Sequence, residues 1–169
     1  DTLIAHFITE HGIKVFAIKP EQANKLTIKK VASKIVGKIF HDPKIEFDKE
    51  SYDKATGIMA GKLTLLNLYQ HVGWATLKDD IRAAALDGNK VVIIDPITNL
   101  TNGVDPSTAN TMLQEIAQEL SSMALDLNIA IFIFCHLKSP EGNLSMEARE
   151  RKYAKNQFIG LGGCPHEFG

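Results

Sequence analysis

The sequence predicts an α/β fold, an open and mostly parallel sheet with helices on both faces. Three observations predict it. Val15-Phe16-Ala17-Ile18, Val91-Val92-Ile93-Ile94 and Ile129 to Phe134 are apolar without alternation, the pattern of strands covered on both sides. Segments with apolar residues at helical spacing lie between them. The length, 169 residues, suffices for one substantial core but is short for an eight-stranded barrel.

Taken in order, Leu3, Ile4, Phe7 and Ile8 recur at helical spacing, with Gly12 placed as a C-cap glycine. The strand Val15 to Ile18 ends at Lys19-Pro20-Glu21. Leu26, Ile28, Val31, Ile35 and Ile39 mark a second helix whose other face carries Lys25, Lys29, Lys30 and Lys34, a pattern typical of a solvated surface. Asp42-Pro43 is a turn, a short helix is expected around 49–60, and Leu63 to Leu68 reads as a strand. Thr76-Leu77-Lys78-Asp79 resembles the capped start of a helix that runs to about Leu86. After Val91 to Ile94 comes a loop from Thr98 to Asp105, and Asp105-Pro106 opens a long helix with Ala109, Met112, Leu113, Ile116, Leu120, Met123 and Leu127 on one side. Ile129 to Phe134 is the last predicted strand, and it leads into Cys135-His136-Leu137-Lys138.

Composition narrows the class. Apolar residues are 44% and charged residues 23%, and 19 basic against 20 acidic side chains leave a formal charge of −1. That is an ordinary globular balance, so any nucleic-acid contact must rest on a local patch. Two cysteines, Cys135 and Cys164, are too few for a secreted disulfide framework and fit a reducing, cytoplasmic compartment. No apolar run approaches a membrane span, and no signal peptide opens the sequence. The chain begins within a helical pattern and stops in a loop of Gly, Cys, Pro and His, so the expectation is a piece of a longer protein.

In open parallel sheets, ligands bind at the carboxyl ends of the strands. Three predicted strands release a chemically capable residue there: Glu21, Asp95 and His136. An ionised Asp95 at the end of a buried run needs a partner, either a magnesium ion on nucleotide phosphates or backbone amides of the following turn. Glu21 could polarise an attacking water, or serve only as an acid near a helix N-terminus. His136 could touch a phosphate or be a satisfied strand-end histidine. Together the three make a plausible hydrolytic set for a nucleoside triphosphate. A phosphate-cradling loop is missing: Gly57 to Thr64 has one residue too few between its glycines, has Leu63 in the hydroxyl position, and precedes a strand rather than following one.

The run Val91-Val92-Ile93-Ile94-Asp95-Pro96-Ile97, the helix spaced after it and above all Ile133-Phe134-Cys135-His136-Leu137-Lys138-Ser139-Pro140 resemble the RecA-like helicase domain of phage primase-helicases and mitochondrial Twinkle, with the bacterial DnaB helicases as more distant relatives. The resemblance runs from the first helix to about residue 163. It implies a P-loop NTPase core in a hexameric replicative DNA helicase, with ATP or another nucleoside triphosphate bound with Mg2+. It further implies that Glu21 is the catalytic base, Asp95 the carboxylate that holds magnesium through water, and His136 the sensor of the γ-phosphate. Residues 138–169 would be a mobile loop region facing single-stranded DNA, with Lys138, Arg149, Arg151, Lys152 and Lys155 as candidate phosphate contacts.

Pro20-Glu21-Gln22 departs from the Leu-Glu-Glu or Leu-Glu-Met pattern usual in the family, so the role of Glu21 rests on its register after the strand. The phosphate loop and the arginine-finger motif would lie outside this chain, which by itself should neither bind ATP tightly nor hydrolyse it usefully. Two other readings stand beside the helicase: a RecA-like recombinase or clock-type ATPase, and a degenerate domain that binds DNA or a partner without hydrolysis. Cys135, His136, Cys164 and His166 match no common zinc spacing.

Overall fold

A computed structural model describes residues 1–66 and 73–135. Its elements are α1 (Thr2–His11), β1 (Val15–Ile18), α2 (Asn24–Val36), α3 (Lys49–Met59), β2 (Leu63–Leu65), α4 (Trp74–Leu86), β3 (Val91–Ile94), a 3₁₀ turn (Ile97–Thr101), α5 (Pro106–Asp126) and β4 (Ala130–Ile133). The four strands form one parallel sheet in the order β2-β1-β3-β4. The predicted α/β architecture is therefore the observed one.

The central strands are apolar at every position because both of their faces are covered. Val15, Ala17, Val91 and Ile93 point into a core shared with Ile4 and Ile8 of α1, Val31 and Ala32 of α2, and Ala55 and Met59 of α3. Phe16, Ile18, Val92 and Ile94 point the other way, onto Leu77 and Ile81 of α4 and Leu113, Ile116 and Leu120 of α5. Each of these large aliphatic side chains contributes roughly 1.5–3 kcal/mol on burial. Alternation thus survives in the direction of the side chains, while hydropathy along each strand stays flat.

Chemistry at the ends fixes the helices. Gly12 and Gly37 close α1 and α2 in the left-handed conformation, with φ of 63° and 71°, where an added Cβ is strained. The Asp48 carboxylate caps α3 by accepting the Ser51 N–H at 2.9 Å. The Asp105 carboxylate accepts the Thr108 N–H at the start of α5, as its place before Pro106 predicts.

Several boundaries differ from expectation. Because α2 ends at Gly37, Ile39 lies beyond the helix and is 46% exposed. Helix α4 starts two residues before Thr76 and has Gly73 at its N-cap, with no side-chain cap bond. The loop predicted from Thr98 is in part a 3₁₀ turn. Apolar β4 is not buried like β3: it lies at one side of the described sheet, with Ile133 39% exposed. Strand β2 runs only as far as Leu65, and residues 67 and 68 of the predicted strand lie outside the described residues.

Candidate functional site

The sheet's register lines up three strand exits. Ile18 pairs with Ile94, and Ile94 with Ile133. The ladder continues one step further: the Asp95 N–H donates to the Ile18 carbonyl at 2.9 Å and the Phe134 N–H to the Ile94 carbonyl at 2.9 Å. Lys19 and Asp95 are therefore neighbours at the carboxyl edge, each the first residue after a buried four-residue strand. The chain then turns through a cis Asp95–Pro96 peptide, and the Ile97 N–H returns to the Phe134 carbonyl at 2.9 Å. That bond ties the turn after β3 to the exit of β4.

Asp95 has a side-chain partner that the sequence reading did not foresee. The Lys19 ammonium lies 3.2 Å from Asp95 Oδ2 and 2.9 Å from Asp1 Oδ1. Lys19 is buried, 7% exposed, whereas the Asp95 side chain is 39% exposed. A buried ammonium is tolerated only when paired, and here two carboxylates share it. A signal existed in the sequence: a lysine directly after a four-residue apolar run must reach either water or an acid, and the adjacent strand ends in one.

Glu21 is exposed and lies in the turn between β1 and α2. The turn is anchored on both sides of it. The Gln22 N–H donates to the Lys19 carbonyl at 3.1 Å. The Gln22 amide donates to Thr27 Oγ1 at 2.7 Å, and its oxygen accepts from Lys30 Nζ at 2.7 Å. One lysine of the basic α2 face thus braces this turn, and a second, Lys29, lies 5.7 Å from the Phe47 ring centroid.

His136, Lys138, Arg149, Arg151, Lys152 and Lys155 lie outside the described residues, as do Cys164 and His166. Cys135 is half-buried against the core between the sheet and α4–α5.

The donor set bears on magnesium. Among the described residues no three His, Cys, Asp or Glu side chains group as a metal site. Magnesium keeps several waters and takes one or two carboxylates plus phosphate oxygens. A single half-exposed carboxylate at a strand end fits that habit, so Asp95 suits a metal held through water and not a closed protein cage. Two clefts, of about 520 and 310 Å³, lie along β2, and neither is lined by Lys19, Glu21 or Asp95.

No family model matches the sequence, and no curated protein matches it either. Solved structures do share the fold. The ATPase domain of a DnaB-like helicase superposes with a TM-score of 0.56 at 15% identity, over 78% of this chain and 52% of that one. A KaiC-like protein from the hyperthermophilic archaeon Pyrococcus horikoshii OT3 gives 0.51 at 18% identity, over 88% of this chain and 59% of its own. The present chain spans between half and three fifths of each. At such identities the likeness is one of architecture: the chain has a RecA-like α/β fold.

Proposed function

We propose that this chain is part of an ATP-dependent replicative DNA helicase that works as a hexameric ring on single-stranded DNA. The observation that carries the reading is the carboxyl edge itself, where Asp95 follows the buried central strand and Glu21 follows its neighbour on a RecA-like sheet. Ligands of open parallel sheets bind at that edge.

In this reading Asp95 orients a metal-bound water, and the magnesium, when bound, draws charge from the β- and γ-phosphate oxygens. Glu21, held in its anchored turn and open to solvent, orients the attacking water and accepts its proton. His136, two residues beyond Phe134, contacts the γ-phosphate and passes its state to residues 138–169. There Lys138, Arg149, Arg151, Lys152 and Lys155 bind the phosphates of single-stranded DNA without sequence preference.

A RecA-like ATPase of the clock type is the second reading, favoured by the likeness to the KaiC-like protein. The Cys135-His136-Leu137-Lys138 string favours the helicase. Magnesium-dependent ATP binding by the full-length protein tests the site common to both. Asp95→Asn is expected to weaken magnesium-supported ATP binding about tenfold or more, with little change in binding measured in EDTA. Equal weakening under both conditions would contradict the metal role.

A further inference from the structure

Lys19 is the charged group in this edge that neither the resemblance nor the proposed mechanism uses. Its ammonium is buried, it points at two carboxylates, and one of them is Asp95 at 3.2 Å. The two ends of that contact differ in access: the Lys19 side chain is 8% exposed and that of Asp95 39%. A cation arriving from solvent reaches the carboxylate, while the lysine stays behind it.

We infer that Lys19 is a positioning residue and internal counter-ion for Asp95: its ammonium holds Oδ2 of the carboxylate, and a divalent cation approaching Asp95 competes with that fixed positive charge. The backbone makes the arrangement rigid. Lys19 and Asp95 each leave a buried strand, the strands are in parallel register up to Ile18 and Ile94, and the Asp95 N–H is bonded to the Ile18 carbonyl. The lysine is pinned further by its carbonyl, which accepts the Gln22 N–H, and by the second ion pair to Asp1. Neither partner can move away without breaking the end of the ladder.

Electrostatics gives the consequence. One ammonium against two carboxylates leaves the trio with a net charge of −1, so it still attracts a cation, but less strongly than the same acids without Lys19. A unit charge roughly 6 Å from a divalent ion, screened as in water, changes its affinity by roughly tenfold. Lys19 therefore sets a threshold: metal is held well only when nucleotide phosphates arrive with it and supply the remaining negative charge. This inference rests on the reading of Asp95 as the metal carboxylate.

The test is a Mn2+ titration of the full-length protein without nucleotide, read by electron paramagnetic resonance, on the wild type and on Lys19→Met, Lys19→Arg and Asp95→Asn. The site in question is the one lost in Asp95→Asn and in the Lys19→Met/Asp95→Asn double variant. Lys19→Met should bind Mn2+ there roughly tenfold tighter than wild type, while Lys19→Arg keeps the wild-type affinity. A merely structural lysine would not produce tighter metal binding rescued by another cation. Lys19→Gln, which keeps a hydrogen-bond donor, reads the same effect if Lys19→Met fails to fold. Unchanged or weaker Mn2+ binding in the neutral variants overturns the inference, as does the absence of an Asp95-dependent site in every variant. ATP binding by the wild type, measured in parallel with a fluorescent analogue, separates the two ideas. Its absence defeats the nucleotide reading, whereas normal ATP binding with an unaltered Mn2+ affinity defeats only the role of Lys19.

Discussion

Single side chains at element ends carry much of the specificity of this chain, and Asp48 shows how. Its carboxylate bonds the Lys38 ammonium and accepts from both the Ser51 N–H and the Ser51 hydroxyl. The lysine first, and then the serine donors, hold its pKa at about 2 against an ordinary 3.8. The folded state therefore binds fewer protons than the unfolded chain between about pH 2 and 4, so this contribution is complete above about pH 4 and is lost as the pH falls towards 2. Asp48→Asn keeps the cap but removes the charge. Thermal melts should place the variant a few degrees below wild type at pH 6, with the gap closing by pH 2; a gap independent of pH would contradict the charge argument. The same scale explains what was hidden at the site. Asp95 was visible because an acid ending an apolar run is conspicuous, but its pairing with Lys19 depends on two strands far apart in the chain lying side by side in register. Nothing in the spacing of the linear sequence fixes that adjacency.

At the scale of elements, periodicity was informative wherever burial was complete. The stripe on α5 that runs through Leu113, Ile116 and Leu120 is buried to 1% exposure at each residue, and β1 and β3 are closed at every position. Leu120→Ala should accordingly lower stability by about 2–5 kcal/mol, while Leu125→Ala, on the same helix but 82% exposed, should stay within about 0.5 kcal/mol. Urea unfolding distinguishes the two, and similar losses would show that the helix does not dock as described. Periodicity misled where local chemistry and position in the sheet decide. Ile39 continued the α2 pattern on paper, but Gly37 in the left-handed conformation had already ended the helix. β4 has the same apolar composition as β3, yet it lies at one side of the described sheet and not at its centre. Hydropathy reports what a strand could bury, and the order β2-β1-β3-β4 decides what it does bury.

For the whole molecule, the parallel sheet gathers residues far apart in the chain onto one edge. Helices α1–α3 cover one face and α4–α5 the other, leaving the carboxyl ends of β1 and β3 as the place where Lys19, Glu21 and Asp95 converge. The architecture matches solved ATPase folds of which this chain spans between half and three fifths, so only part of the proposed nucleotide site has its geometry here. Among the described residues no helix is long and apolar enough to cross a membrane. The class of fold was legible because unbroken apolar strands alternating with amphipathic helices leave few other solutions. The remainder of the proposed site, His136 and the basic residues after it, lies outside the described residues. The measurement that bears most directly on the central claim is DNA-stimulated ATP hydrolysis by the full-length protein carrying Glu21→Gln, with ATP binding measured alongside. A carboxylate that orients the attacking water predicts a fall in turnover of about a hundredfold or more with ATP affinity within about twofold of wild type; normal DNA-stimulated turnover in this variant would contradict it.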